Sequence, residues 1–125
     1  MYTILFMDDD IKLLEVLKKV LSTKGNRIIT TKPINQIINL VKVEKPHLIV
    51  LDYLMGEVNG GELCGILKGD LDTKDIPIIV YSIHDRVFNA FGNYGCDLFL
   101  PKTADIYSLN SEIDNLLHTR YERPN

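Results

Sequence analysis

Residues 47–61 read HLIVLDYLMGEVNGG, and this stretch decides how the rest of the chain is understood. Leu48, Ile49, Val50 and Leu51 form an unbroken apolar run. A strand covered on both faces, as in a parallel sheet, reads this way, whereas a half-exposed strand alternates. The run ends on Asp52, and Asn59, Gly60 and Gly61 mark a turn into a helix. A carboxylate leaving such a strand stands at the edge of the sheet where α/β folds bind ligands. Asp is also common at turns and caps, so Asp52 alone serves equally well as a plain strand end.

Outward from this run, strand-like and helix-like segments alternate. Upstream, residues 3–7 (TILFM) form a short strand that ends on Asp8, Asp9 and Asp10. Ile11, Leu14, Leu17 and Leu21 then recur at helical spacing, with Asp10 as N-cap and Gly25–Asn26 as the stop. Residues 27–31 (RIITT) read as a less apolar edge strand, and Pro33 opens a helix carrying Ile34, Ile37, Ile38 and Val41. Downstream, GELCGILKG is a short helix, residues 70–76 a polar loop, and the next strand ends on Ser82. His84 to Tyr94 reads as a weak helix, 97–100 (DLFL) as a fifth strand running into Pro101 and Lys102, and Ile106, Leu109, Ile113 and Leu116 as the inner face of a last helix. The tail from Tyr121 to Asn125 is expected to fray.

The bulk numbers narrow the class. A chain of 125 residues with 46% hydrophobic and 25% charged residues suits one globular domain. A net charge of −3 gives no basic footprint for nucleic acid. Cys64 and Cys96 match no metal spacing and read as two reduced core thiols of a cytoplasmic protein. No signal peptide and no membrane-length apolar segment are visible.

Five strand–helix units imply a doubly wound parallel sheet of order 2-1-3-4-5 with five helices, a flavodoxin-like α/β fold. That order sets Asp8 and Asp9 beside Asp52, and brings Ser82 and Lys102 to the same edge. Three converging carboxylates repel one another unless a cation joins them, and oxygen ligands with room for water suit Mg²⁺. A metal, a carboxylate nucleophile and a lysine form the set needed for phosphoryl transfer to an aspartate. Each residue alone has an ordinary explanation as a cap, strand end or surface charge; their convergence at the carboxyl ends of four strands does not.

With these residues in view, the chain resembles the receiver domain of two-component response regulators, of the stand-alone kind typified by chemotaxis regulators. The resemblance rests on ILFMDDD, LIVLDYLMGEVNG, PIIVYS, the Gly95–Cys96 pair and LFLPK, and it spans residues 1–125 as a single domain. It implies that Asp52 takes a phosphoryl group from a histidine kinase or histidine phosphotransfer protein. It implies Mg²⁺ held by Asp9 directly, by Asp8 mainly through water, by Asp52, and by the backbone carbonyl of Leu54. Ser82 and Lys102 would hold the phosphoryl group, and Ser82 and Phe99 would form the switch that alters the surface around strands four and five. Ile83 and His84 would form the rim. A downstream protein partner is implied, together with a homodimer face on helix four, strand five and helix five; neither nucleic acid nor membrane is a direct partner.

Three positions depart from the family pattern. Thr103 stands where a cis proline is usual, Gly56 where proline is common, and Ile83 where alanine or glycine is preferred. A non-proline cis bond costs about 3 kcal/mol. Three other readings remain. A docking domain that keeps only the fold would have no need of Mg²⁺. A small phosphohydrolase would often carry a second aspartate two residues after the nucleophile, where this chain has Leu54. A flavodoxin-like cofactor binder would need a phosphate-cradling loop where this chain has three aspartates.

Overall fold

The computed structural model describes residues 1–34, 36–83 and 95–122. Its strands are β1 (Thr3–Met7), β2 (Arg27–Thr31), β3 (Leu48–Leu51), β4 (Leu54–Met55), β5 (Val58–Asn59), β6 (Ile78–Ser82) and β7 (Leu98–Pro101). Four α-helices lie among the described residues: α1 (Ile11–Leu21), α2 (Ile37–Glu44), α3 (Gly60–Gly69) and α4 (Ile106–Tyr121). β2, β1, β3, β6 and β7 pair in that order as one parallel sheet.

The expected order 2-1-3-4-5 is therefore corrected to 2-1-3-6-7. Two short strands, read from the sequence as loop, intervene between the third and fourth strands of the sheet. β4 and β5 form an antiparallel hairpin in which Leu54 pairs with Asn59 and Met55 with Val58. Gly56 opens its two-residue turn at φ +64°. Proline, locked near −65°, cannot adopt that angle, so glycine at this departure from the family pattern fits the hairpin. The expected count of five helices is not met among the described residues; the helix expected from His84 to Tyr94 lies outside them.

The strands alternate their side chains between two cores. Leu5, Met7, Ile49, Leu51, Ile78 and Val80 pack with α2 and α3, joined by Ile37, Val41, Leu63 and Leu67. Ile4, Phe6, Leu48, Val50, Ile79 and Tyr81 pack with α1 and α4, joined by Leu14, Leu17, Leu21, Leu109, Ile113 and Leu117. All four residues of β3 are buried, as an unbroken apolar run requires in a central strand.

Several elements differ in detail from expectation. α2 begins at Ile37 and not near Pro33, and its Gln36 N-cap makes no side-chain capping bond. Ile11 is exposed, because it occupies the first turn of α1 above the sheet edge; Asp10 caps that helix as expected, accepting from the Leu13 N–H. β7 runs one residue later than expected, and α4 buries Leu117 more fully than Leu116. Tyr121, expected in the frayed tail, closes α4 and donates its hydroxyl to the carbonyl of His47 at 2.7 Å. No cis peptide bond occurs among the described residues, and Lys102–Thr103 is trans, the ordinary state of a non-proline amide.

Candidate functional site

The carboxyl edge of the sheet is built by backbone bonds that continue one residue past the strands. The Asp8 N–H donates to Thr31, that of Asp52 to Met7, and that of Lys102 to Ser82. Each side chain that leaves the edge is thus held by its neighbouring strand. Leu51 pairs with Val80 and Ser82 with Pro101, so Asp52, Ser82 and Lys102 leave three adjacent strands at nearly one level.

Asp8, Asp52 and Ser82 are buried, while Asp9 is exposed. The Lys102 ammonium lies between two carboxylates, 2.9 Å from Asp8 Oδ2 and 3.0 Å from Asp52 Oδ2. The second oxygens are also engaged: Asp8 Oδ1 accepts from the Asp10 N–H at 2.9 Å, and Asp52 Oδ1 from the Tyr53 N–H at 2.7 Å. Burial pushes the Asp8 carboxyl up, although Lys102 and the Asp10 amide pull the other way. Burial pulls the Lys102 ammonium down, but its bonds to Asp8 and Asp52 outweigh it and leave it above an ordinary lysine.

Asp8, Asp9 and Asp52 each offer an oxygen, and the three lie within 4.8 Å of one another. This all-oxygen donor set fits a hard divalent cation such as Mg²⁺. Leu54, two residues past Asp52, opens β4 with its side chain exposed. Ile83 is 68% exposed immediately after Ser82, and Phe99 is half-buried on β7 beside Val80. His84 lies outside the described residues. So does the expected fourth helix, and with it that part of the expected homodimer face.

One site contact is invisible to residue-by-residue reading. A Cβ built on Gly60 would lie 1.8 Å from the Asp52 carbonyl oxygen. The Gly60 N–H also donates to the Tyr53 carbonyl at 2.6 Å. The start of α3 therefore rests on the backbone of Asp52 itself. The only signal in the sequence is a glycine where the turn would accept other residues.

The response regulator receiver domain family model matches residues 4–114. The chain belongs to the response regulator receiver family. This receiver is 29% identical over 119 residues to the heme response regulator HssR of Staphylococcus saprophyticus, covering 94% of this chain and 52% of that protein. It is 30% identical over 116 residues to the response regulator MprA of Mycolicibacterium vanbaalenii, covering 91% and 49% respectively. The receiver thus spans about half the length of these relatives. Among solved structures it is similar to the signal receiver domain of a signal transduction histidine kinase from Syntrophus aciditrophicus, with a TM-score of 0.86 and 28% identity over 100% of this chain and 96% of that one. Among the described residues, no helix is long and apolar enough to cross a membrane.

Proposed function

We propose that this receiver accepts a phosphoryl group on Asp52 and passes the event on through its surface. The observation that carries the reading is the Asp52 carboxylate, held at the sheet edge between Lys102 and the two other aspartates. An Asp52 oxygen attacks phosphorus, and the imidazole nitrogen of a phosphohistidine donor leaves. Receiver domains of response regulators are partners of histidine kinases, and a histidine kinase or phosphotransfer protein is the donor class proposed here. Asp9, Asp8, Asp52 and the Leu54 carbonyl would hold Mg²⁺, which when bound neutralises charge on the phosphoryl oxygens. Ser82 holds a phosphoryl oxygen from β6, and Lys102 pairs with another. Inward movement of Ser82 and Phe99 alters the face around β6 and β7, where a downstream protein reads the state. The receiver catalyses only its own phosphorylation and slow dephosphorylation, and it acts in the cytoplasm. Incubation with a small phosphodonor and Mg²⁺ tests the reading: one phosphoryl group per chain is expected, and none would overturn it.

The metal part has its own test. Asp9→Ala is expected to abolish Mg²⁺ binding measured by calorimetry, because the exposed member of the cluster is the one not already occupied by Lys102. Lys102→Met is expected to tighten it, since an ammonium bridging Asp8 and Asp52 repels a second cation in the same place. Unchanged affinity in both variants would sink the assignment.

The rim predicts a long-lived phosphorylated state. Hydrolysis needs a water in line with the new bond, and the residues next to Ser82 and two past Asp52, Ile83 and Leu54, are apolar and exposed by 68% and 40%. One lost hydrogen bond of about 1–1.5 kcal/mol corresponds to roughly a tenfold rate. Ile83→Ala is therefore expected to speed decay of the phosphorylated form about tenfold at saturating Mg²⁺. Equal decay in parent and variant would show that Ile83 does not exclude water.

A further inference from the structure

One polar group beside the site has no part in the chemistry described above. Tyr81 precedes Ser82 on β6 and is 4% exposed, in the core cluster that the sheet forms with α1 and α4. A buried tyrosine ring needs only apolar neighbours, but its hydroxyl needs a partner. The partner lies in the loop that carries Lys102: the Tyr81 hydroxyl donates to the carbonyl of Ala104 at 3.0 Å. Burial pushes the Tyr81 hydroxyl up, against the pull of Lys102, so it keeps its proton at neutral pH.

Ala104 closes a turn. Its N–H donates to the Pro101 carbonyl at 2.9 Å, and Lys102 and Thr103 are the two residues between them. Asp105 follows and caps α4, accepting from the Ser108 N–H at 2.8 Å. On the other side, the Lys102 N–H donates to the Ser82 carbonyl at 2.9 Å. β6 therefore grips the Lys102 turn twice, by the backbone of Ser82 at Lys102 and by the side chain of Tyr81 at Ala104. From this turn the Lys102 ammonium reaches Asp8 at 2.9 Å and Asp52 at 3.0 Å. A flexible four-carbon stem places its ammonium no better than its backbone is placed.

We propose that Tyr81 is a positioning residue for the phosphoryl reaction: its hydroxyl fixes the 101–104 turn and so holds the Lys102 ammonium against Asp8 and Asp52. The inference rests on the phosphoacceptor reading of Asp52 for what Lys102 does, but not for where Lys102 lies. Phenylalanine in its place would fill the same core and leave the Ala104 carbonyl without this donor.

The test is Tyr81→Phe in the full chain, with thermal melting as the folding control. The Lys102 ammonium is followed by its side-chain ¹H–¹⁵N signal, which bonds to Asp8 and Asp52 protect from exchange with water. That signal is expected to broaden in Tyr81→Phe. The Lys68 ammonium, held by the Ile76 carbonyl and Asp97 at 2.8 Å each, is the control and should keep its signal. A Lys102 signal absent from the parent, or unchanged in the variant, would overturn the inference, and so would equal loss of both lysine signals. Phosphorylation by a small phosphodonor at saturating Mg²⁺ gives the second arm. Tyr81→Phe is expected to slow it several-fold, by up to about tenfold for one hydrogen bond. In a Lys102→Met background the same change should slow the residual rate no further, because the two act through one group. Equal slowing in both backgrounds would show that Tyr81 does not act through Lys102. A parent that gains no phosphoryl group would remove the phosphoacceptor reading, while the ammonium signals would still decide whether Tyr81 holds Lys102.

Discussion

Asp52→Asn is expected to gain no phosphoryl mass under conditions that add one phosphoryl group to the parent. The change removes the anionic oxygen that attacks phosphorus and leaves a neutral amide of nearly the same shape. Asp8 is the rival acceptor, because it too is buried, touches Lys102 and has both oxygens engaged. The strand order separates them. Asp52 follows β3, with β1 and its aspartates on one side and β6 with Ser82 on the other. A phosphoryl group on Asp52 therefore has the carboxylates of Asp8 and Asp9 on one flank and a hydroxyl on the other. On Asp8 it would lie two strands from Ser82. The fold should survive the substitution, since Lys102 keeps Asp8 as a partner and the asparagine carbonyl can still accept from the Tyr53 N–H. Intact mass after a small phosphodonor and Mg²⁺, with circular dichroism as the folding control, gives the answer. Labelling of Asp52→Asn equal to the parent would move the acceptor elsewhere.

Much of this arrangement is legible in one dimension because a parallel sheet writes itself plainly. The runs at 48–51 and 78–82 are buried on both faces and hence continuous, and the residue at or just past each strand's end is the one delivered to the site. Asp8, Asp52, Ser82 and Lys102 are found by that rule alone. What stays hidden depends on approach between segments. The β4–β5 hairpin has only two residues in each strand, too few for any period to show. Ile11 keeps the helical spacing but sits beyond the end of the sheet, where nothing covers it. Gly60 reads as turn chemistry, although its role is to leave space for a backbone carbonyl.

Two glycines of α3 should respond to alanine with opposite signs. At Gly60 the added Cβ meets the Asp52 carbonyl oxygen at 1.8 Å and the Tyr53 Cα at 3.2 Å, both backbone atoms that cannot rotate aside. The φ of Gly60 is not in the left-handed region, so the objection to alanine is steric rather than conformational. The corner between β3 and β4 must move, or the Gly60 N–H bond to Tyr53 must open. Overpacking ordinarily costs about 1–3 kcal/mol, and a clash this deep against backbone belongs at the upper end. For a domain of this size that corresponds to a melting temperature lower by roughly 10 °C. At Gly65, exposed in the same helix, a Cβ meets nothing within 4 Å. There alanine only improves helix propensity, by up to about 1 kcal/mol, and the protein should melt a few degrees higher. Phosphorylation should divide the same way, because Gly60→Ala displaces the backbone that aims Asp52, whereas Gly65→Ala leaves it in place. Thermal melts and phosphorylation rates of the two variants decide the matter. If Gly60→Ala is as stable and as quickly phosphorylated as Gly65→Ala, the contact between the start of α3 and Asp52 does not hold the site.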